Sequence, residues 1–255
     1  MSDRLISRRK MLVGLSAAGG GLALSGCDAL NEDPTFNRFL DQFEKLNEGS
    51  HRLLTDRLAL AREYRPEDRS PVFRVNGTRT VENDSYQRHL AEGFANWRLR
   101  VDGLVERPLS ISMAQLKGLP QRTQITRHDC VEGWSAIGQW TGPQLGRILD
   151  IAGLRDSANY LLFHCADLYG NDPYYETIDL IDAYHPQTIM AWVLNGEALP
   201  EGNGAPVRLR VERQLGYKHA KFVMRIEAIE DFRRIAGGRG GLWEDRANYE
   251  WYAGI

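Results

Sequence analysis

Apolar residues recur at helical spacing near the start of the chain. Phe36, Phe39, Leu40, Phe43 and Leu46 fall at i, i+3, i+4, i+7 and i+10, and a second set follows at Leu53, Leu54, Leu58 and Leu60. Such a period gives a helix one apolar face. Asn47-Glu48-Gly49-Ser50 separates the sets, so the pattern predicts two short helices within residues 34–63. Further along, the period changes to two. Trp97, Leu99 and Val101 alternate with Arg98 and Arg100 before Asp102-Gly103, which reads as a half-buried strand and a turn. Ser112 is placed to cap a short helix ending at Gly118-Leu119-Pro120, and a strand through 123–126 leads into Cys130. Thr141-Gly142-Pro143 is read as the start of a helix with Leu145, Ile148, Leu149 and Ala152 inward and Gly153 beyond its end. Further strands are expected at 160–164, 189–194, 207–211 and 222–229. The order lacks a strand–helix–strand rhythm and has no GxGxxG after a strand, so the fold class is α+β and not a dinucleotide fold.

The first residues read as an address, not as part of the fold. Ser7-Arg8-Arg9-Lys10-Met11 is a twin-arginine stretch, followed by a glycine-broken apolar run to Gly26 that suits the core of an export signal. Leu24-Ser25-Gly26-Cys27 looks like a lipobox, which makes Cys27 the acylated mature N-terminus. The expected organisation is a signal over 1–26, a lipidated linker with short helices over 27–70, and one domain over 71–255. The location that follows is export by the twin-arginine route to the periplasmic face of the cytoplasmic membrane. That route carries folded cargo, often with a cofactor already inserted.

Charge narrows the function. The whole chain carries −2; Arg4, Arg8, Arg9 and Lys10 against Asp3 give the signal +3, leaving −5 on the mature part. A mildly acidic domain without a basic stripe argues against a nucleic-acid partner. The six histidines include no i, i+4 pair around a glutamate, and there is no CxxC, CxxCH, GxxxxGK[ST] or GxSxG. With Cys27 lipidated, only Cys130 and Cys165 remain. Either they pair in an oxidising compartment, or Cys130 has a chemical task and Cys165 is a small buried apolar residue.

The segment Thr126-Arg127-His128-Asp129-Cys130-Val131-Glu132-Gly133-Trp134-Ser135, with Trp140-Thr141-Gly142 after it, resembles the cofactor-binding stretch of the sulfite-oxidase-like molybdopterin oxidoreductases. Two further stretches match the same class in order. One is Asp172-Pro173-Tyr174-Tyr175-Glu176, leading to His185-Pro186. The other runs from Asn195-Gly196-Glu197 through Asn203-Gly204-Ala205-Pro206-Val207-Arg208 to Gly216-Tyr217-Lys218-His219-Ala220-Lys221. The PYxE and NGAPVR patterns are similar to those of the periplasmic methionine-sulfoxide reductase catalytic subunits. The resemblance covers residues 71 to 229.

It implies the sulfite-oxidase fold and a mono-pyranopterin molybdenum cofactor whose metal is held by Cys130. Cysteine thiolate is the soft sulfur ligand that a protein can offer such a metal. By the same resemblance, Asn203, Arg208, Lys218, His219 and Lys221 bind the cofactor, Arg208 gripping its phosphate and the lysines adding charge. Asn76 stands at the family's upstream pterin contact, with Asn83 and Tyr86 as a rival match. Tyr174 corresponds to the active-site tyrosine. Glu132 and Trp134 are expected to support the ligand, and Arg127 and His128 to flank it.

Two departures direct the substrate. The reductases carry a hydroxyl residue near the position of His164-Cys165, which is missing here, and sulfite oxidases place arginines after the ligand, where this chain has Val131-Glu132-Gly133-Trp134. Tyr174, Tyr175 and Trp134 are expected to line a more apolar mouth. The expectation is a monomeric enzyme performing oxygen-atom transfer on an S-oxide or N-oxide, with electrons from a separate partner, a membrane haem protein being one candidate. The alternatives are a sulfite-type oxidase and a non-catalytic lipid-anchored binding protein on the same scaffold.

Overall fold

A computed structural model describes residues 34–54 and 56–255. The twin-arginine stretch, the lipobox and Cys27 lie outside the described residues. The chain divides into two compact units, residues 1–54 and 55–255. In the first, α1 (Pro34–Leu54) is a single helix, not the two expected. Gly49 sits inside it with open space where a side chain would be, so the glycine weakens the helix without ending it.

The second unit holds three sheets. The largest has five strands in the order β2-β1-β11-β5-β6, from β1 (Arg98–Gly103), β2 (Leu109–Ser112), β5 (Tyr160–Tyr169), β6 (Asp172–Asp179) and β11 (Val223–Ile229). Only the β1–β11 pair is parallel. A second sheet orders β3 (Gln121–Cys130), β4 (Trp134–Pro143), β8 (Val193–Leu194) and β9 (Glu197–Ala198); a third pairs β7 (Ile189–Ala191) with β10 (Arg208–Arg210). Short helices fill the edges: α2 (Asp84–Ala91), α3 (Met113–Gly118), α4 (Leu145–Ala152), α5 (Leu180–Ala183) and α6 (Leu242–Ala247).

Local chemistry explains the elements that were legible. Leu99 and Val101 point inward from β1 while Arg98 and Arg100 face solvent. Ser112 and Gln115 form a reciprocal capping box on α3. α4 buries Leu145, Ile148, Leu149 and Ala152 and ends at Gly153, which takes a positive φ. Those side chains join Trp97, Leu161, Phe163, Val207, Leu209 and Ile226 in the main core, and each large one contributes about 1.5–3 kcal/mol by leaving water. A smaller cluster gathers Phe73, Trp140, Ile189 and Leu194.

One helix start is corrected. Thr141-Gly142-Pro143 belongs to the end of β4, and Gln144 is the N-cap of α4. A side chain at Gly142 would collide with the backbone of Met190 and Ala191, so this glycine allows β4 to approach β7 instead of opening a helix.

Candidate active site

The β3–β4 hairpin fixes Cys130. All ten residues of β3 pair with β4, from Gln121 opposite Pro143 to Cys130 opposite Trp134. The turn closes with Gly133 N–H donating to the Cys130 carbonyl at 3.0 Å. Cys130 is therefore the last residue of a long ladder, half-buried and free, and Cys165 is also free. Burial pushes the Cys130 thiol up in pKa, against a hydrogen bond from the Glu132 backbone.

The thiol borders a cavity of about 530 Å³. Asn76 and Thr78 enter it from the loop before α2, Asp167 and Tyr174 from the β5–β6 hairpin, and His219 and Lys221 from the segment after β10. Of the residues read from sequence, Asn76, Cys130, Tyr174, His219 and Lys221 meet here. The rival Asn83 does not. It caps α2 by accepting from Ser85 N–H at 2.9 Å and Tyr86 N–H at 3.2 Å, and the Tyr86 hydroxyl donates to the Ala205 carbonyl at 2.8 Å.

Arg208 stands fully buried behind this wall. Its guanidinium donates to the carbonyls of Asn203 at 3.1 Å and His219 at 3.3 Å, and Nε has no partner. The neighbouring Arg210 is paired with Glu212 through two hydrogen bonds and donates to His128 Nδ1 at 3.0 Å. Arg208 has no such carboxylate, and burial followed by repulsion from Arg210 brings it down to about 9. A buried guanidinium without a carboxylate partner calls for an anion. Gly204, with φ +106, lets the loop pass over both Arg208 and Lys221, where a Cβ would come within 3.0–3.2 Å of their side chains.

The lysines correct the expectation. Lys221 borders the cavity, but its ammonium donates to the carbonyls of Asn76 at 2.6 Å, Thr78 at 2.5 Å and Gly202 at 2.9 Å. It clamps two loops together and has no donor left for a phosphate. Burial and the charge of Arg208 pull it down to about 7. Lys218 turns away entirely. Its ammonium bonds Glu176 and Glu244, all three fully buried.

Unpartnered polar atoms mark what the cavity would receive. Asn76 Oδ1, Asp167 Oδ1, Asn203 Nδ2 and His219 Nδ1 are all buried without a hydrogen bond. His219 Nε2 faces the Gln214 carbonyl at 3.1 Å, so Nε2 carries the proton and Nδ1 is an acceptor. Burial, then the charge of Arg210, holds its pKa well below the usual histidine value. Buried polar groups are ordinarily satisfied; this set instead suits a ligand rich in ring N–H and amino donors with an anionic end. The residues present therefore fit a pterin carrying a phosphate, with a thiol that its metal would deprotonate on binding. No group of three metal-ligating side chains occurs among the described residues.

Sequence reasoning missed Asp167, buried beside Thr78 near the end of β5, because a lone acid in a strand carries no periodic signal. Trp243 and Tyr249 also border the cavity. Of the expected aromatic mouth, Tyr174 is present, whereas Trp134 donates to Glu132 at 2.9 Å and Tyr175 borders a separate cavity. Arg127 is largely exposed and paired with Asp129 at 2.9 Å.

Comparison with known proteins agrees with this geometry. The model of the oxidoreductase molybdopterin binding domain matches residues 87–234. The chain is 35% identical over 98% of its length to YedZ1 of Azospira oryzae, provisionally named a protein-methionine-sulfoxide reductase subunit, and spans 88% of that protein. It is 38% identical over 55% of its length to the protein-methionine-sulfoxide reductase catalytic subunit MsrP of Xanthomonas axonopodis pv. citri, of which it spans 47%. The sulfane dehydrogenase SoxCD of Paracoccus pantotrophus shares the fold with a TM-score of 0.51 at 21% identity, over 60% of this chain and 41% of that one. The chain belongs to the oxidoreductase molybdopterin-binding-domain family and is a molybdenum-dependent oxidoreductase of sulfite-oxidase-like fold.

Proposed function

We propose that this enzyme reduces S-oxides, with N-oxides as the neighbouring class, by oxygen-atom transfer at a molybdenum held by Cys130 and a single pyranopterin. The observation that carries the reading is the charge of the cavity. Among the described residues its one cationic side chain is Lys221, committed to three carbonyls; His219 is held neutral by burial, Glu132 and Asp167 line it, and no described arginine does. A sulfite dianion needs free cationic donors, whereas a neutral oxide does not. The names of the relatives from Azospira and Xanthomonas support the same class.

In this reading Asn76, Asp167, Asn203 and His219 hold the pterin edge and Arg208 its phosphate. When bound, the molybdenum–pterin group supplies two-electron redox chemistry. The S-oxide takes two electrons and two protons and leaves as sulfide and water. Tyr174 donates its hydroxyl to the Tyr217 carbonyl at 3.0 Å, and burial keeps it protonated, so it orients a ring on the cavity wall and retains its proton. The chain carries no CxxCH, so electrons arrive from a separate partner protein. Arg8-Arg9 and Cys27 support export and a lipid anchor on the periplasmic face.

The test is steady-state turnover with a reduced viologen and a panel of S-oxides and N-oxides, beside sulfite with an artificial acceptor. Oxide reduction with negligible sulfite oxidation is expected. Efficient sulfite turnover with no response to any oxide overturns the proposal.

A further inference from the structure

The last segment of the chain wraps back over the cavity. Its helix α6 sends Glu244 inward to the Lys218 ammonium at 2.7 Å, and Lys218 lies between Tyr217 and His219, both of which border the cavity. The side chain of Asp245 accepts from Gly237 N–H at 2.8 Å and Arg239 N–H at 2.9 Å and also binds the Tyr175 hydroxyl. Trp251 donates to Thr177 at 2.9 Å, and the Tyr217 hydroxyl donates to the Glu250 carbonyl at 2.6 Å. Ala253 and Ile255 pair with the backbone of Leu215 and Arg213. The segment is thus strapped to β6 and to residues 213–218, two of the elements that carry the cavity wall.

The straps hold a line of rings on the cavity wall, Tyr169, Trp243, Tyr249 and Tyr217. Tyr169 meets Trp243 edge-on at 4.7 Å, Trp243 stacks near Tyr249 at 6.1 Å, and Tyr249 meets Tyr217 at 5.0 Å. Trp243 and Tyr249 are half-buried and border the cavity. Val131 stands 42% exposed directly after Cys130.

We propose that Trp243 and Tyr249 are the specificity-determining wall of the cavity, admitting to its Cys130 end, where the metal would sit, an S-oxide with one slim substituent and holding back those bulky on both sides of sulfur. The idea rests on the S-oxide reading for its substrate. Its physical content is wider, a size-selective passage to the thiol. Rings packed on one another and carried by a segment that ion pairs and hydrogen bonds hold in place yield less than loop side chains do, and apolar contact with sulfur favours the slim substrate in the gap. Glu244 is a positioning residue, acting through Lys218 to hold the wall.

Two measurements decide it. In molybdenum-loaded enzyme, kcat/KM for diphenyl sulfoxide relative to dimethyl sulfoxide is compared in wild type, Trp243→Ala and Trp243→Phe; the ratio cancels differences in loading. Trp243→Ala should raise it by about tenfold or more, the effect of opening an apolar pocket, and Trp243→Phe should largely restore it. In full-length protein made without molybdenum, alkylation of Cys130 by a bulky maleimide relative to iodoacetamide, read by peptide mass spectrometry, should shift the same way. Glu244→Ala should move both ratios and expose the tail to trypsin at Arg246. An unchanged ratio for Trp243→Ala in either measurement overturns the wall. Wild type that reduces no S-oxide overturns the function proposed above, and the alkylation ratio still decides the wall.

Discussion

Replacing Lys218 by Met tests the buried ion triad that ties the tail to the active-site wall. Among the described residues the ammonium is the sole cation bonded to Glu176 and Glu244, and the three side chains are 0–2% exposed. Without it two carboxylates remain buried, with Glu176 Oε2 and Glu244 Oε2 already lacking partners. Breaking a buried pair from one side costs about 3–5 kcal/mol, which for a domain of this size lowers Tm by about 6–20 °C. The loss should depend on pH in a defined direction. Burial, then repulsion from Glu244, raises the Glu176 carboxyl well above its ordinary value. A carboxyl raised on folding binds its proton more tightly in the native state, so its stabilising contribution is complete below the unfolded value of 4.5 and is lost as pH rises through the folded value. Removing Lys218 raises that value further and widens the window. Melting curves at pH 5 and pH 8 should therefore show a larger deficit at pH 8, and adding Glu176→Gln and Glu244→Gln should recover more than half of it. A deficit under about 1 kcal/mol, or one equal at both pH values, would refute the reasoning.

Arg208→Met should cut the molybdenum content of purified protein by about tenfold or more, since charge-assisted bonds to a phosphate are worth about 1.5–3 kcal/mol; the cofactor-free protein should change little in stability, because relief of a buried charge without a carboxylate partner offsets the two carbonyl hydrogen bonds that are lost. Metal analysis and urea melts of the same preparations check both halves. Asn76→Ala should lower cofactor retention with little effect on the fold. Asn83→Ala should do the reverse, removing a helix cap worth about 1 kcal/mol. Arg8→Lys with Arg9→Lys should leave folded precursor in the cytoplasm, and Cys27→Ala should release the protein from membranes or block processing. Unchanged fractionation of Cys27→Ala would rule out the anchor.

Elements with a local signal were legible in the sequence. Ser112 announces a cap, which Gln115 completes in the structure, and the alternation in 97–101 announces β1. β4 was not legible, because Ser135, Gly138, Gln139 and Gly142 offer no β-branched run; the strand exists because β3 pairs with its whole length. β6 hides for the opposite reason. Tyr175, Glu176, Thr177 and Ile178 are buried in succession, so neither face alternates, and its buried acid is stabilised by Lys218, 42 residues away. The same distance problem governs the site. Motifs placed Cys130, Asn76 and His219 at one cavity, while no sequence pattern distinguishes a lysine that faces a phosphate from one that clamps carbonyls, as Lys221 does, or one neutralised by two distant carboxylates, as Lys218 is. Asp167 and the rings of the tail join the cavity only through tertiary packing.

The central claim is that Cys130 is the protein's bond to the metal. It is tested most directly by X-ray absorption at the molybdenum edge on protein purified from its native host, wild type beside Cys130→Ser. The thiol ends a fully paired hairpin and is only half-buried, so serine should leave the fold intact. Retained through the pterin and phosphate contacts, the metal should then show one sulfur neighbour fewer than in wild type, together with loss of turnover. A sulfur shell unchanged by the substitution would contradict the account.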